Sequence, residues 1–175
     1  MTLTVNDRAR HIATFRYLEV HLMETAARWT PLTPEMEVKV LLGRHIWDFA
    51  QHADWLGKRT FELRQPEQFT LTPVPAFVEL LQKISASGDT SSRLSNLYDV
   101  LMPEVAGRYG DYLEATDRLL DEPSVRIIER IVADYTRQRA EAAEVRERLG
   151  IASAPAAAMI AAMREHQTIV QRRND

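Results

Sequence analysis

Residues 33–64 read TPEMEVKVLLGRHIWDFAQHADWLGKRTFELR. Within this stretch Val38, Leu41 or Leu42, His45, Asp48 or Phe49, His52, Trp55 and Leu56 recur at three- and four-residue steps, which places them on one face of a helix. Pro34 suits a first helical position and Thr33 a cap, so the pattern predicts a helix from there to about Arg64. Upstream, from about Asn6 to Trp29, the residues Ile12, Phe15, Leu18, Leu22, Ala26 and Trp29 repeat the helical spacing, with Asn6 or Asp7 as the expected cap. Prolines 31 and 34 separate the two blocks, so the reading is one helical hairpin.

Downstream, QPEQFTLTPVPAFVELLQKISASGDTSS (65–92) carries prolines on both sides of FTLT and a closing Ser/Gly/Asp cluster. It reads as a long crossover holding one short amphipathic helix at about 75–86. A third helix is expected over about 93–120, with Leu97, Leu101, Val105, Tyr112 and Leu119 inward and kinks at Pro103 and Gly110. A fourth is expected over about 124–149, with Ile128, Val132, Tyr135, Ala142 and Val145 on one face and Gly150 as its C-terminal cap. The run AAAMIAAMREHQTIVQRR after Pro155 predicts a fifth helix, which either packs on the bundle or serves a homodimer interface. The expectation is therefore all-α: one domain over 1–175, a four-helix bundle of two helical hairpins with a long crossover and an extra C-terminal helix.

Composition narrows the function classes. A chain of 175 residues with 45% hydrophobic content supports one sizeable core. A net charge of −3 gives no global positive field for nucleic acid or an anionic membrane. With no cysteine, disulfides, thiolate metal sites and cysteine nucleophiles are excluded. No phosphate-binding glycine loop, no G-x-S-x-G elbow and no H-E-x-x-H zinc helix is present. No apolar run approaches the roughly 18 residues of a spanning helix, and the start lacks a signal-type apolar region, so a cytoplasmic location is the default expectation.

An internal echo links the halves. Asp48-Phe49-Ala50-Gln51-His52 in the second helix aligns without a gap to Asp134-Tyr135-Thr136-Arg137-Gln138 in the fourth. With the stretches TPEMEVKVLLGRHIWDFAQHADWLGKRTFELR and LLDEPSVRIIERIVADYTRQ, the chain resembles a bacterial group of the ferritin-like superfamily over residues 10–64 and 93–148. In di-iron members each hairpin supplies a Glu-x-x-His pair. Here the aligned pairs are Phe49…His52 and Tyr135…Gln138, which is a degenerate di-iron motif lacking both carboxylates and one imidazole. The resemblance therefore implies the fold without ordinary di-iron chemistry, and no cofactor is expected.

Three functions follow as expectations. In the first, a metal-independent protein uses the vacated metal cavity as a small-molecule pocket in the bundle interior. His52, Tyr135 and Asp48 are its candidate catalytic acid/base residues. Asp48 is expected to hydrogen-bond a neighbouring imidazole, His45 or His52, and the Tyr135 hydroxyl is expected to find His52. In the second, Glu19, Asp48, His52 and Asp134 form a non-standard metal site for an oxidase or oxygenase. In the third, the interior is packed and the chain is a helical interaction protein. Arg16 and Glu19, three residues apart, read by default as a surface ion pair. Of Tyr98, Tyr109 and Tyr112, the last is best placed for the interior, and Glu141, Glu144 and Arg148 read as a solvated face.

Overall fold

A computed structural model describes residues 3–64, 69–154, 156–166 and 168–171. Helix α1 spans Val5–Trp29, α2 Met36–Glu62, α3 Pro75–Ser85, α4 Thr90–Leu94, α5 Met102–Ala115, α6 Glu122–Leu149 and α7 Ala157–Glu165, and the described residues contain no strand. The fold is all-helical, and among the described residues no helix is long and apolar enough to cross a membrane. Part of the expected crossover, residues 65–68, and part of the C-terminal run, residues 167 and 172–173, lie outside the described residues.

Local chemistry sets the helix ends. Thr4, not Asn6 or Asp7, caps α1: its hydroxyl accepts from the Asp7 N–H while the Asp7 carboxylate accepts from the Thr4 N–H, a capping box. At the next junction a 3-10 turn, Thr30–Leu32, prolongs the first helix, so Thr33 closes α1 rather than opening α2. Its hydroxyl donates to the Trp29 carbonyl at 2.9 Å, and α2 begins at Met36 without a side-chain cap. Arg93 then ties the connection down by donating to the carbonyls of Leu32, Ser87 and Gly88. At the far end, Gly150 adopts φ +64° and Ile151 N–H returns to the Arg146 carbonyl, the Schellman closure expected of that glycine.

The third long helix is continuous over 90–115 but not uniform. Pro103 has no N–H to offer the preceding turn, and a π segment, Ser95–Leu101, absorbs the defect. Met102 N–H reaches back to the Leu97 carbonyl, which leaves the Tyr98 carbonyl without its α-helical donor, and Arg139 Nε supplies one at 2.8 Å. The helix ends at Ala115 rather than near 120, so Leu119 is 85% exposed and not inward. Asp121 explains the early stop. Buried completely, it accepts from Tyr112, Thr116, Ser124 and Arg59, and this demand fixes the turn into α6.

Helices α1 and α2 pack along each other and α2 packs along α6, with α5 against α6 and α3 and α7 outside them. The core between them is rich in rings: Phe15, Phe49, Tyr98, Tyr109 and Tyr135 are all at most 1% exposed. Phe15 meets Tyr109 edge-on at 4.7 Å and Phe49 meets Tyr135 at 6.3 Å and 87°, geometry that contributes beyond area alone.

Candidate functional site

Helices α2 and α6 run antiparallel in a register read directly from their polar contacts. His45 faces Glu141 at 3.1 Å, Asp48 faces Gln138 at 2.9 Å, and His52 faces Asp134 at 3.3 Å. Seven-residue steps on each helix return to the same face after two turns, so the two histidines stand as parallel rungs between the helices. Each rung finishes on another element. His45 Nδ1 meets the Tyr98 hydroxyl at 2.7 Å, and His52 Nδ1 meets Glu19 of α1 at 3.1 Å.

Glu19 is the centre of the arrangement. It is wholly buried, its Oε2 facing His52 and its Oε1 accepting from both Tyr109 and Tyr135. Burial raises the pKa of both tyrosines well above the ordinary phenol value, and the Glu19 charge adds to it, so both hydroxyls stay protonated and act as donors. For His52, burial favours the neutral ring, but the Glu19 charge and hydrogen bond together with Asp134 outweigh it, and its pKa is raised. His45 goes the other way: burial dominates the pull of Glu141, and its pKa is lowered. Two imidazoles on one helix face are thus tuned in opposite directions.

Outside this cluster, a groove of about 660 Å³ lies over α2 and α6. Trp47 and Trp55 form its apolar walls, Arg44, Arg130 and Arg137 its cationic side, and His52 and Asp134 its inner end. Asp134 also accepts from Arg130 Nε at 3.1 Å and Arg137 Nη2 at 3.3 Å. The three arginines are 43–67% exposed at their side chains, and a guanidinium carries five N–H groups, so donors remain for a ligand.

The structure brings two of the three expected site residues, His52 and Tyr135, to one centre through Glu19, with ring centroids 6.0 Å apart. Tyr135 donates to Glu19 and not to His52. Asp48 sits in the groove wall, but its carboxylate accepts from Arg137 and Gln138 rather than from an imidazole. Burial opposes its ionisation, yet those two donors hold its pKa low. Glu19 is a correction of another kind: among the described residues it pairs with no surface arginine, and it lies at the heart of the core. Tyr109 joins it there, whereas Tyr112 turns to Asp121, and Glu141 leaves the expected solvated face to meet His45. The signal for Glu19 was in the sequence, since positions 12, 15, 19, 22 and 26 step by three and four along one helix face.

The donor set does not fit a metal centre. Both oxygens of Glu19 and both nitrogens of His52 are engaged with other side chains, His52 lies between its carboxylates rather than beside them, and Phe49 contributes no ligand atom. Among the described residues no three His, Asp or Glu side chains converge to hold an ion. Comparison of the chain with family models, with curated proteins and with solved structures found no match.

Proposed function

We propose that the chain is a ferritin-like helical protein that carries proton chemistry where its resemblance would place a di-iron centre, and that the groove between α2 and α6 binds a small molecule. The observation that carries the reading is His52: a buried imidazole that bridges wholly buried Glu19 to Asp134 at the inner end of an open groove. The ferritin-like part is supported by the contact between Phe49 and Tyr135, the two aromatics at aligned positions, beside the one carboxylate contributed by α1.

The arrangement suits acid/base exchange. Protonated His52 holds one N–H toward Glu19 and one toward Asp134. A basic atom of a ligand at the inner end of the groove takes the proton from Nε2; the ligand gains it and the ring becomes neutral while keeping Nδ1–H on Glu19. Asp134 can release Nε2 without losing its partners, because Arg130 and Arg137 already hold it. The Tyr109 and Tyr135 hydroxyls donate to Glu19 and fix its carboxylate in place, which keeps the imidazole oriented. Arg44, Arg130 and Arg137 with Trp47 and Trp55 favour a ligand with one oxyanion group and a planar or apolar body.

Trp47 and Trp55 provide the assay. A panel of small carboxylic and phosphoric acids titrated against intrinsic fluorescence is expected to find ligands whose binding varies with pH in the wild type. In His52→Asn the binding persists but its pH dependence disappears, and Arg137→Gln weakens it. Unchanged pH dependence in folded His52→Asn removes the proposed role. A packed polar core without a ligand is the second reading, favoured by the full pairing of Glu19; it predicts that no panel member perturbs either tryptophan.

A further inference from the structure

The geometry points to a second, separate site: a pocket between α1 and α2 in which Arg16 receives the carboxylate of a small aryl acid. Arg16 crosses α2 at Gly57, where a Cβ would stand 2.8 Å from its Nε and 3.3 Å from its Cδ. Any larger residue at 57 displaces the guanidinium, so this glycine makes the space for it. Arg16 donates from Nη1 to the Thr70 hydroxyl, while its Nε is buried with no hydrogen-bond partner. Among the described residues no carboxylate pairs with this cation, which leaves a half-buried positive charge and a donor that buried N–H groups ordinarily satisfy.

The walls define the ligand. Arg16 lines a pocket of about 400 Å³ with Asp54, Gly57, Lys58, Phe61, Glu62 and Phe69, a size that suits a small organic molecule. Phe61 and Phe69 stack in parallel planes, 6.2 Å between centroids and 4° apart, yet remain 72% and 54% exposed. Two large apolar rings held together in water beside a guanidinium that has no carboxylate partner among the described residues suit an aromatic body with an anionic end. The other charged residues of the rim have partners. Lys58 pairs with Asp54 at 2.7 Å, and Glu62, 58% exposed at its side chain, reaches Arg59 at 3.2 Å, so of the two cations in the lining Arg16 is the one with no carboxylate in contact among the described residues. Those rim carboxylates repel a dianion more than a monoanion, which favours a carboxylate over a phosphate. The far wall is anchored, because Leu71 N–H donates to the Ala13 carbonyl of α1 at 3.1 Å.

The test titrates the full chain with phenylacetate, phenylacetamide and inorganic phosphate, following the amide of Gly57 and the Nε–H of Arg16 by two-dimensional NMR. Phenylacetate is expected to move both signals with a Kd on the order of 1 mM. The neutral amide and phosphate bind at least tenfold more weakly. Arg16→Gln and Gly57→Ala each weaken phenylacetate at least tenfold, and Phe69→Ala, at a side chain more than half exposed, weakens it with the fold intact. The Trp47 indole signal stays in place, which separates this site from the groove over α6. Equal binding of acid and amide overturns the assignment, as does undiminished binding in Phe69→Ala or no response to phenylacetate in the wild type.

Discussion

Tyr135 donates its hydroxyl to Glu19 at 2.6 Å, a buried contact between residues 116 positions apart. It joins the last long helix to the first, and Tyr109 donates to the same oxygen from a third. Hydrogen bonds to a charged group are worth about 1.5–3 kcal/mol, so Tyr135→Phe and Tyr109→Phe are each expected to lose stability in that range. With one donor gone the other still serves Oε1. The double substitution should therefore cost more than the two single losses combined, a coupling that urea denaturation of all four proteins measures.

Stability should carry the signature of His52. Its folded pKa is raised, so protonation stabilises the fold. That contribution is complete below the unfolded value of about 6.5 and is lost as pH rises through the folded pKa. His45 and His21 have lowered values and act in the opposite sense, losing stability as pH falls through their folded pKa. The difference between wild type and His52→Asn isolates the first effect: it should shrink as pH is raised above about 6.5. A difference that grows with pH contradicts the bridge between Glu19 and Asp134.

Asp121 should be the costliest single carboxylate outside the centre. Removing its charge by Asp121→Asn leaves Arg59, only 9% exposed, without its buried partner, and strands the donors of Tyr112 and Thr116. Breaking a buried pair in this way costs about 3–5 kcal/mol. Its hydrogen-bonded carboxyl titrates below the ordinary value despite burial, so acid unfolding of the wild type should draw on the same group, with stability lost as pH falls through that lowered pKa. Thermal melts of the wild type and Asp121→Asn across the acid range test both statements.

Metal loading gives an independent check on the donor set. Incubation with ferrous iron, manganese or zinc followed by desalting and elemental analysis is expected to recover well under one equivalent, since the Glu19 and His52 atoms that would ligate are spent on each other and on two tyrosines. One firmly held equivalent, abolished by Glu19→Gln, contradicts this.

Helix periodicity carried most of the architecture, because apolar steps of three and four depend only on local geometry. The junctions were less legible: whether Thr33 serves the helix before it or the one after it depends on the 3-10 turn at Thr30–Leu32, which the local sequence does not announce. The π segment before Pro103 is of the same kind, since its stray carbonyl is satisfied by Arg139 from another helix. At the site, His52 and Tyr135 stood out through the internal echo, and Glu19 was grouped with His52 and Asp134 only as a metal ligand, not as the carboxylate that joins His52 to Tyr135. Glu19 has Arg16 one turn before it, and a charged pair at that spacing is ordinarily solvated. What reversed the expectation is the arrival of three donors from distant helices, a fact of tertiary packing.

The register of α2 against α6 has a consequence for how the molecule comes apart. Each rung is divided between the two halves of the chain: His45, Asp48 and His52 on one side, Glu141, Gln138 and Asp134 on the other. Severing the halves would part each imidazole from its α6 carboxylate and Asp48 from Gln138, and a slip of one helical turn would set His45 and His52 against the wrong neighbours. The ladder thus works as a gauge of correct assembly, and hydrogen exchange at its amides should be governed by a single global opening rather than by independent release of each hairpin.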